Sequence, residues 1–219
     1  MMGAASLTLG LIYLLVWARQ PSQYGYLLFF ITAASVAVFS QFELRLMRAA
    51  NPDEYAGILR WAHVPLFIVF VSIVGFIFLY LRSGRLWLAA AACGVRVAAL
   101  GLNFGSGVNV NFNQVTAMLP VPLWGGESIF VPIGVPNPYV IVAQLSNLRL
   151  LWFVADASVA LWRTGDANAR RRAVVVGGSV FFCSLAAAVL AALINAADAD
   201  GLVRCATGSG GAQRSRIGR

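Results

Sequence analysis

HVPLFIVFVSIVGFIFLYL, residues 63–81, runs for nineteen positions without one Asp, Glu, Lys or Arg. A helix rises about 1.5 Å per residue, so this stretch matches the ~30 Å hydrocarbon core of a bilayer. Five further apolar blocks flank it: about Gly3–Trp17, Tyr24–Phe42, Leu86–Phe104, Tyr139–Trp162 and Ala173–Ala196. Trp17, Trp61, Trp87 and Trp162 stand at block ends, where interfacial aromatics belong. The first block is short and lacks the basic flank of a secretory signal, so it reads as a membrane helix. The pattern predicts an all-α polytopic membrane protein of about six transmembrane helices. A bundle over 1–196 precedes a Gly- and Ser-rich tail, 197–219, which has no periodicity and is expected to be disordered.

Composition points the same way. Hydrophobic residues make up 60% of the chain, charged residues 11%, and mean hydropathy is +0.78. Soluble domains average roughly 45–50% apolar and about 25% charged residues. The net charge of +8 comes entirely from Arg, with no Lys in the chain. These arginines sit mostly at span ends and in short connections, which suits anionic lipid and argues against nucleic acid as a partner. All-Arg usage also fits a GC-rich bacterial source. Cys93 and Cys183 fall inside apolar blocks and Cys205 in the tail, so no disulfide framework or metal spacing arises.

Between the fourth and fifth blocks lies GSGVNVNFNQVTAMLPVPLWGGESIFVPIGVPNP, Gly105–Pro138, with five of the eight prolines and no Arg. An Arg-free loop between spans belongs outside the cytoplasm. With the N-terminus outside, the inner connections carry Arg19, Arg82, Arg85, Arg163, Arg170, Arg171 and Arg172. The outer ones carry only Arg45, Arg48 and Arg60. The expected location is a bacterial inner membrane, with the N-terminus and loop 105–138 extracytoplasmic. Six spans then leave the tail outside, against the sign of Arg204, Arg214, Arg216 and Arg219. Connection Glu43–Ala62 is ambiguous and reads as an interfacial helix carrying Asp53 and Glu54.

Within the loop, Val108–Phe112 alternates and Ser128–Pro132 is rich in β-formers, which predicts a hairpin bent at Gly125-Gly126. Val135-Pro136-Asn137-Pro138 supplies a cap for the fifth helix. Asn103, Asn109, Asn111 and Glu127 are the polar groups suited to a ligand or signal. The alternative is a structural lid whose asparagines satisfy turn backbone.

Three ionisable residues fall inside spans: Arg96, Arg149 and Asp156. Arg149 and Asp156 are seven apart, on one helix face. An Arg at mid-bilayer costs at least about 2.5–3.5 kcal/mol on insertion scales, so each should face the bundle. The expected network pairs Asp156 with Arg96 and leaves Arg149 to backbone carbonyls or Asn147. It reads either as a polar switch or as a static clamp between helices. Glu43, Asp53, Glu54 and His63 collect near one face, as an acid-sensing patch or a solvated connector. A lone His makes no metal site, and no cofactor is expected. No nucleophile elbow, P-loop, HExxH or paired-carboxylate motif occurs, so no enzyme is expected.

Several short runs, taken in order, resemble a known family. They are Leu102-Asn103-Phe104, Asn109-Val110-Asn111-Phe112, Gly126-Glu127-Ser128, Val135-Pro136-Asn137-Pro138, Arg60-Trp61-Ala62-His63-Val64-Pro65, Phe78-Leu79-Tyr80-Leu81-Arg82 and Arg171-Arg172-Ala173-Val174-Val175-Val176-Gly177-Gly178-Ser179. Over roughly Gly10 to Ala192 the chain resembles the membrane-embedded N-terminal sensory region of bacterial PAS-containing sensor histidine kinases. The resemblance implies a seven-helix input module in a two-component system, ahead of cytoplasmic PAS and kinase domains. This chain carries neither the seventh helix nor a phosphoacceptor His nor an ATP-binding box, so a truncated input region is expected. Its signal would be a small molecule or a membrane-borne ligand, and its assembly a homodimer. A small transporter or channel is the alternative function, and a structural scaffold a third.

Overall fold

The computed structural model describes residues 2–81, 84–122, 128–164 and 166–182. The chain divides into two units, Met1–Ser179 and Val180–Arg219; of the second only 180–182 are described, and they are helical. In order, the elements are α1 (Met2–Arg19), α2 (Tyr24–Arg48), α3 (Pro52–Leu81), α4 (Leu86–Gly105), β1 (Phe112–Pro122), β2 (Ser128–Pro136) and α5 (Val140–Trp162). Residues 167–182 are also helical.

Four of these helices, α2, α3, α4 and α5, are long and apolar enough to cross a membrane. α1 is apolar but shorter over Gly3–Arg19. The expected sixth span is described only as far as residue 182, and the tail 197–219 lies outside the described residues. Of the six expected spans, four therefore stand on length and apolarity.

Each helix packs on the next in sequence, α1 on α2, α2 on α3, α3 on α4 and α4 on α5, with α3 also reaching α5. The buried positions of α4 are Leu88, Ala89, Ala92, Arg96, Ala99 and Asn103. Those of α5 are Ala143, Ser146, Leu150, Phe153, Val154 and Ala157. Both sets recur at three and four residues, which draws one stripe down each helix. Small side chains on the facing stripes let the backbones approach, as membrane helices do.

The connection Glu43–Ala62 is mostly helix, as an interfacial helix would be, but it is continuous with α2 and α3 rather than a separate element. Only Ala49–Asn51 interrupt α2 and α3. Asn51 Oδ1 accepts the Asp53 amide at 2.9 Å, Pro52 occupies the first helical position, and Asp53 and Glu54 fill the first turn. A side-chain cap, a proline that needs no amide partner and acids at the positive helix end together start α3 eleven residues before its apolar block.

The hairpin forms, displaced from its expected start. β1 begins at Phe112, where the alternating asparagines end, and pairs antiparallel with β2 through Met118↔Pro132 and Leu119↔Val131. Prolines within strands fit here because a two-stranded sheet consists only of edges. Two irregularities in β1 bring it close to β2: a Cβ at Gly134 would collide with the Gln114 carbonyl and lie 3.0 Å from Val115 Cα. β1 lies against α3 and β2 against α2, so the hairpin covers one end of the helices.

Candidate functional site

Polar groups meet at three levels along the seam of α3, α4 and α5. The outermost is a knot of asparagines at the root of the hairpin. Asn103, Asn109 and Asn137 are all fully buried, at 0% exposure. Asn103 donates to the Arg60 carbonyl at 2.8 Å and accepts the Val110 amide at 3.1 Å, tying α4 to α3 and to the loop. Asn109 Oδ1 accepts the amides of Asn111 and Phe112, each at 2.9 Å, and its amide nitrogen reaches the Ala56 carbonyl at 3.5 Å. This is an asparagine folding its own turn, in the manner of an Asx turn. Gly107 precedes it at φ +60, a left-handed conformation that favours glycine.

Asn137 closes the knot from the other strand. Its side chain donates to the Asn109 carbonyl at 2.9 Å and to Ser106 at 3.4 Å, while its Oδ1 accepts the Tyr139 amide at 3.0 Å. The backbone amide of Asn137 reaches the Asn111 carbonyl at 2.9 Å. Asn137 thus makes an Asx turn just ahead of α5 and locks the loop, while the N-cap of α5 is Tyr139, which has no side-chain cap. Arg60 completes this level: its guanidinium donates to the Phe104 carbonyl, at the C-terminal end of α4, and lies 5.1 Å from the Phe104 ring centroid. A cation on those last carbonyls complements the helix dipole.

The middle level centres on Arg96, which is 8% exposed. Its Nη1 donates to Ser146 Oγ at 3.3 Å, and its guanidinium stands 5.3 Å from the Phe70 ring centroid. Ser146 in turn donates to the Ala143 carbonyl at 2.6 Å. His63 hydrogen-bonds the Leu59 carbonyl at 2.8 Å through Nδ1, and a carbonyl only accepts, so that nitrogen carries a proton. A cavity of about 10 Å³ between His63, Arg96, Ala99, Leu100 and Ala143 has room for roughly one water.

At the opposite end, Asp156 accepts the Arg85 amide at 3.2 Å and lies 3.7 Å from Arg85 Nε. The expected Asp156–Arg96 pairing is therefore replaced. The two helices run antiparallel, and their register sets Ser146 opposite Arg96 and Asp156 opposite the start of α4. Arg149 is half-buried and bonds no described residue, so its expected carbonyl or Asn147 partner is not found among them.

Of the four residues expected to meet a ligand, Asn103 and Asn109 are sealed in the knot with their hydrogen bonds made. Asn111 is half-buried, and Glu127 lies outside the described residues. Among the described residues no cluster of three His, Cys, Asp or Glu could hold a metal. Sequence reasoning missed Ser146, Arg60 and Arg85 as partners. Ser146 was findable, because it falls on the same three-and-four stripe as Ala143, Leu150 and Phe153. No family model matches the chain, and neither curated proteins nor solved structures give a match.

Proposed function

We propose that this chain is a membrane-embedded sensory input region, of the kind that precedes PAS and kinase domains in bacterial two-component sensors. In this reading six helices cross the inner membrane, with the hairpin on the extracytoplasmic side and the arginine-rich connections inside. One observation carries it. The hairpin root is bolted to α3 and α4 by Asn103, Asn109 and Asn137, and the buried stripe that holds Asn103 also holds Arg96, seven residues away. A ligand that displaces the hairpin therefore acts on the face of α4 that carries the buried cation. Buried charges inside membrane segments are functional by default, because their insertion cost needs a return.

The small space beside Arg96 disfavours a transport path past that cation, the transporter or channel reading that would use the buried charge. A conducting or transport site needs room for its cargo, and this cavity of about 10 Å³ admits roughly one water. Reading the other genomic frames downstream of Ala196 tests the proposal, with a PAS- or kinase-like continuation in one of them expected. Solute flux in proteoliposomes that Arg96→Gln abolishes would overturn it in favour of transport.

A further inference from the structure

At the end of the helices away from the hairpin lies a cavity of about 1130 Å³, somewhat above the ~300–1,000 Å³ usual for ligand pockets. Ser22, Gln23 and Tyr24 border it from the α1–α2 turn, Tyr80 from the last turn of α3, Leu86 from the start of α4, and Arg172 from the segment beyond α5. Its lining mixes polar and apolar groups, among the latter Phe78 and Leu79, which stand 38% and 45% exposed.

The charge at this end is one-sided. Arg19, Arg85, Arg163, Arg170, Arg171 and Arg172 are all exposed here. The described carboxylates on this side are Asp156 and Asp166. Asp156 is held by Arg85, and Asp166 accepts the amides of Asn168 and Ala169. Arg172 pairs with neither; its guanidinium lies 5.9 Å from the Tyr80 ring centroid, at the cavity wall. The long helix α2 also begins at the cavity, after Gln23, with no side-chain cap and no acid in its first turn, whereas the start of α4 already has the Asp156 carboxylate on its Arg85 amide. Uncapped amides and the positive dipole end favour an anion. Guanidinium suits a phosphate in particular, through paired charge-assisted hydrogen bonds.

We propose that this cavity binds the headgroup of an anionic phospholipid. Arg172 and the start of α2 hold its phosphate, and its acyl portion lies along Phe78 and Leu79. The exposed apolar side chains Phe78 and Leu79 in the lining are what select lipid over free phosphate. Basic recesses between membrane helices bind such headgroups on general electrostatic grounds. The assignment requires only that the helices lie in a bilayer, and it is independent of the sensory reading.

The test uses the full chain in mild detergent, with thermal midpoints and native mass spectrometry after adding phosphatidylglycerol, phosphatidylcholine or inorganic phosphate. Phosphatidylglycerol should raise the midpoint and remain bound through desolvation, while phosphatidylcholine does neither. Arg172→Gln should weaken phosphatidylglycerol binding about tenfold, the effect of losing one charge-assisted hydrogen bond. Arg170→Gln, which removes equal charge from beside Trp162, should leave that affinity unchanged. Because Arg172 is exposed, its variant should fold, which the midpoint without lipid checks. Equal binding of the two lipids, or equal losses in the two variants, would overturn the site. A midpoint raised as much by inorganic phosphate alone would overturn its assignment to lipid.

Discussion

Replacing Asn103 by Leu isolates what the asparagine knot contributes. The substitution keeps the number and branching of side-chain heavy atoms in a position with no solvent exposure, and its bulkier methyls can only add to the loss through overpacking. It deletes two hydrogen bonds, to the Arg60 carbonyl at 2.8 Å and from the Val110 amide at 3.1 Å. Each is worth about 0.5–1.5 kcal/mol net. Val110 is itself fully buried, so its amide is left without a partner, which costs a further ~1–3 kcal/mol. The loss should therefore be about 2–6 kcal/mol, lowering the unfolding midpoint by roughly 4–24 °C at ~2–4 °C per kcal/mol for a chain of this size. Trp61 reports it, because its ring lies 5.4 Å from that of Phe104, one residue from Asn103. Thermal unfolding in detergent, followed by tryptophan fluorescence, supplies the number. Asn113→Ala is the control: Asn113 is exposed and its side chain's only bond among the described residues, to the Pro136 carbonyl, is 3.5 Å long, so its change should stay within ~0.5 kcal/mol. If Asn103→Leu and Asn113→Ala give the same midpoint, the knot holds nothing together and the reasoning fails.

Arg96→Met should leave the thermal midpoint unchanged or raise it. A buried charge with no carboxylate partner among the described residues is often replaced by an apolar side chain without loss. A clear drop would mark Arg96 as a structural clamp. Asp156→Asn should cost less than about 1 kcal/mol in a double-mutant cycle with Arg85→Ala, because the Arg85 side chain is 68% exposed. A coupling above ~2 kcal/mol would contradict that. Gly134→Ala should destabilise the hairpin by roughly 1–3 kcal/mol, since the new methyl meets the Gln114 carbonyl. Faster amide exchange across 112–122 with slow exchange retained in α4 would show it; unchanged exchange would count against the strand register.

The helices were legible because their apolar runs are long and the charges between them sparse. α4 and α5 begin and end within a residue or two of the sequence blocks, where Arg85 and Trp162 mark the edges. The α2–α3 connection was legible as helix but not as a continuation of the spans, for a physical reason. Amphipathic helix continues beyond an apolar block, and hydropathy alone does not see residues 43–48 and 52–62 as helical. A closer reading of Asn51-Pro52-Asp53-Glu54 would have found the helix start. The hairpin was expected from its alternation, but the alternating asparagines turned out to be turn-makers rather than strand. Side-chain partners across helices were the least legible. Choosing Ser146 over Asp156 for Arg96 needs the antiparallel register, and that is set by packing between helices, not by either segment alone.

The link between hairpin and buried cation is open to direct observation in the Arg96 guanidinium. The full chain, labelled with [15N]arginine in lipid nanodiscs, gives a side-chain signal that Arg96→Gln identifies by its disappearance. Asn109→Ala removes the acceptor for the Asn111 and Phe112 amides without touching α4. If the hairpin acts on α4, the Arg96 signal shifts or broadens in that variant. If the hairpin amides become freely exchanging while the Arg96 signal stays where it was, hairpin and seam are uncoupled and the input reading is contradicted.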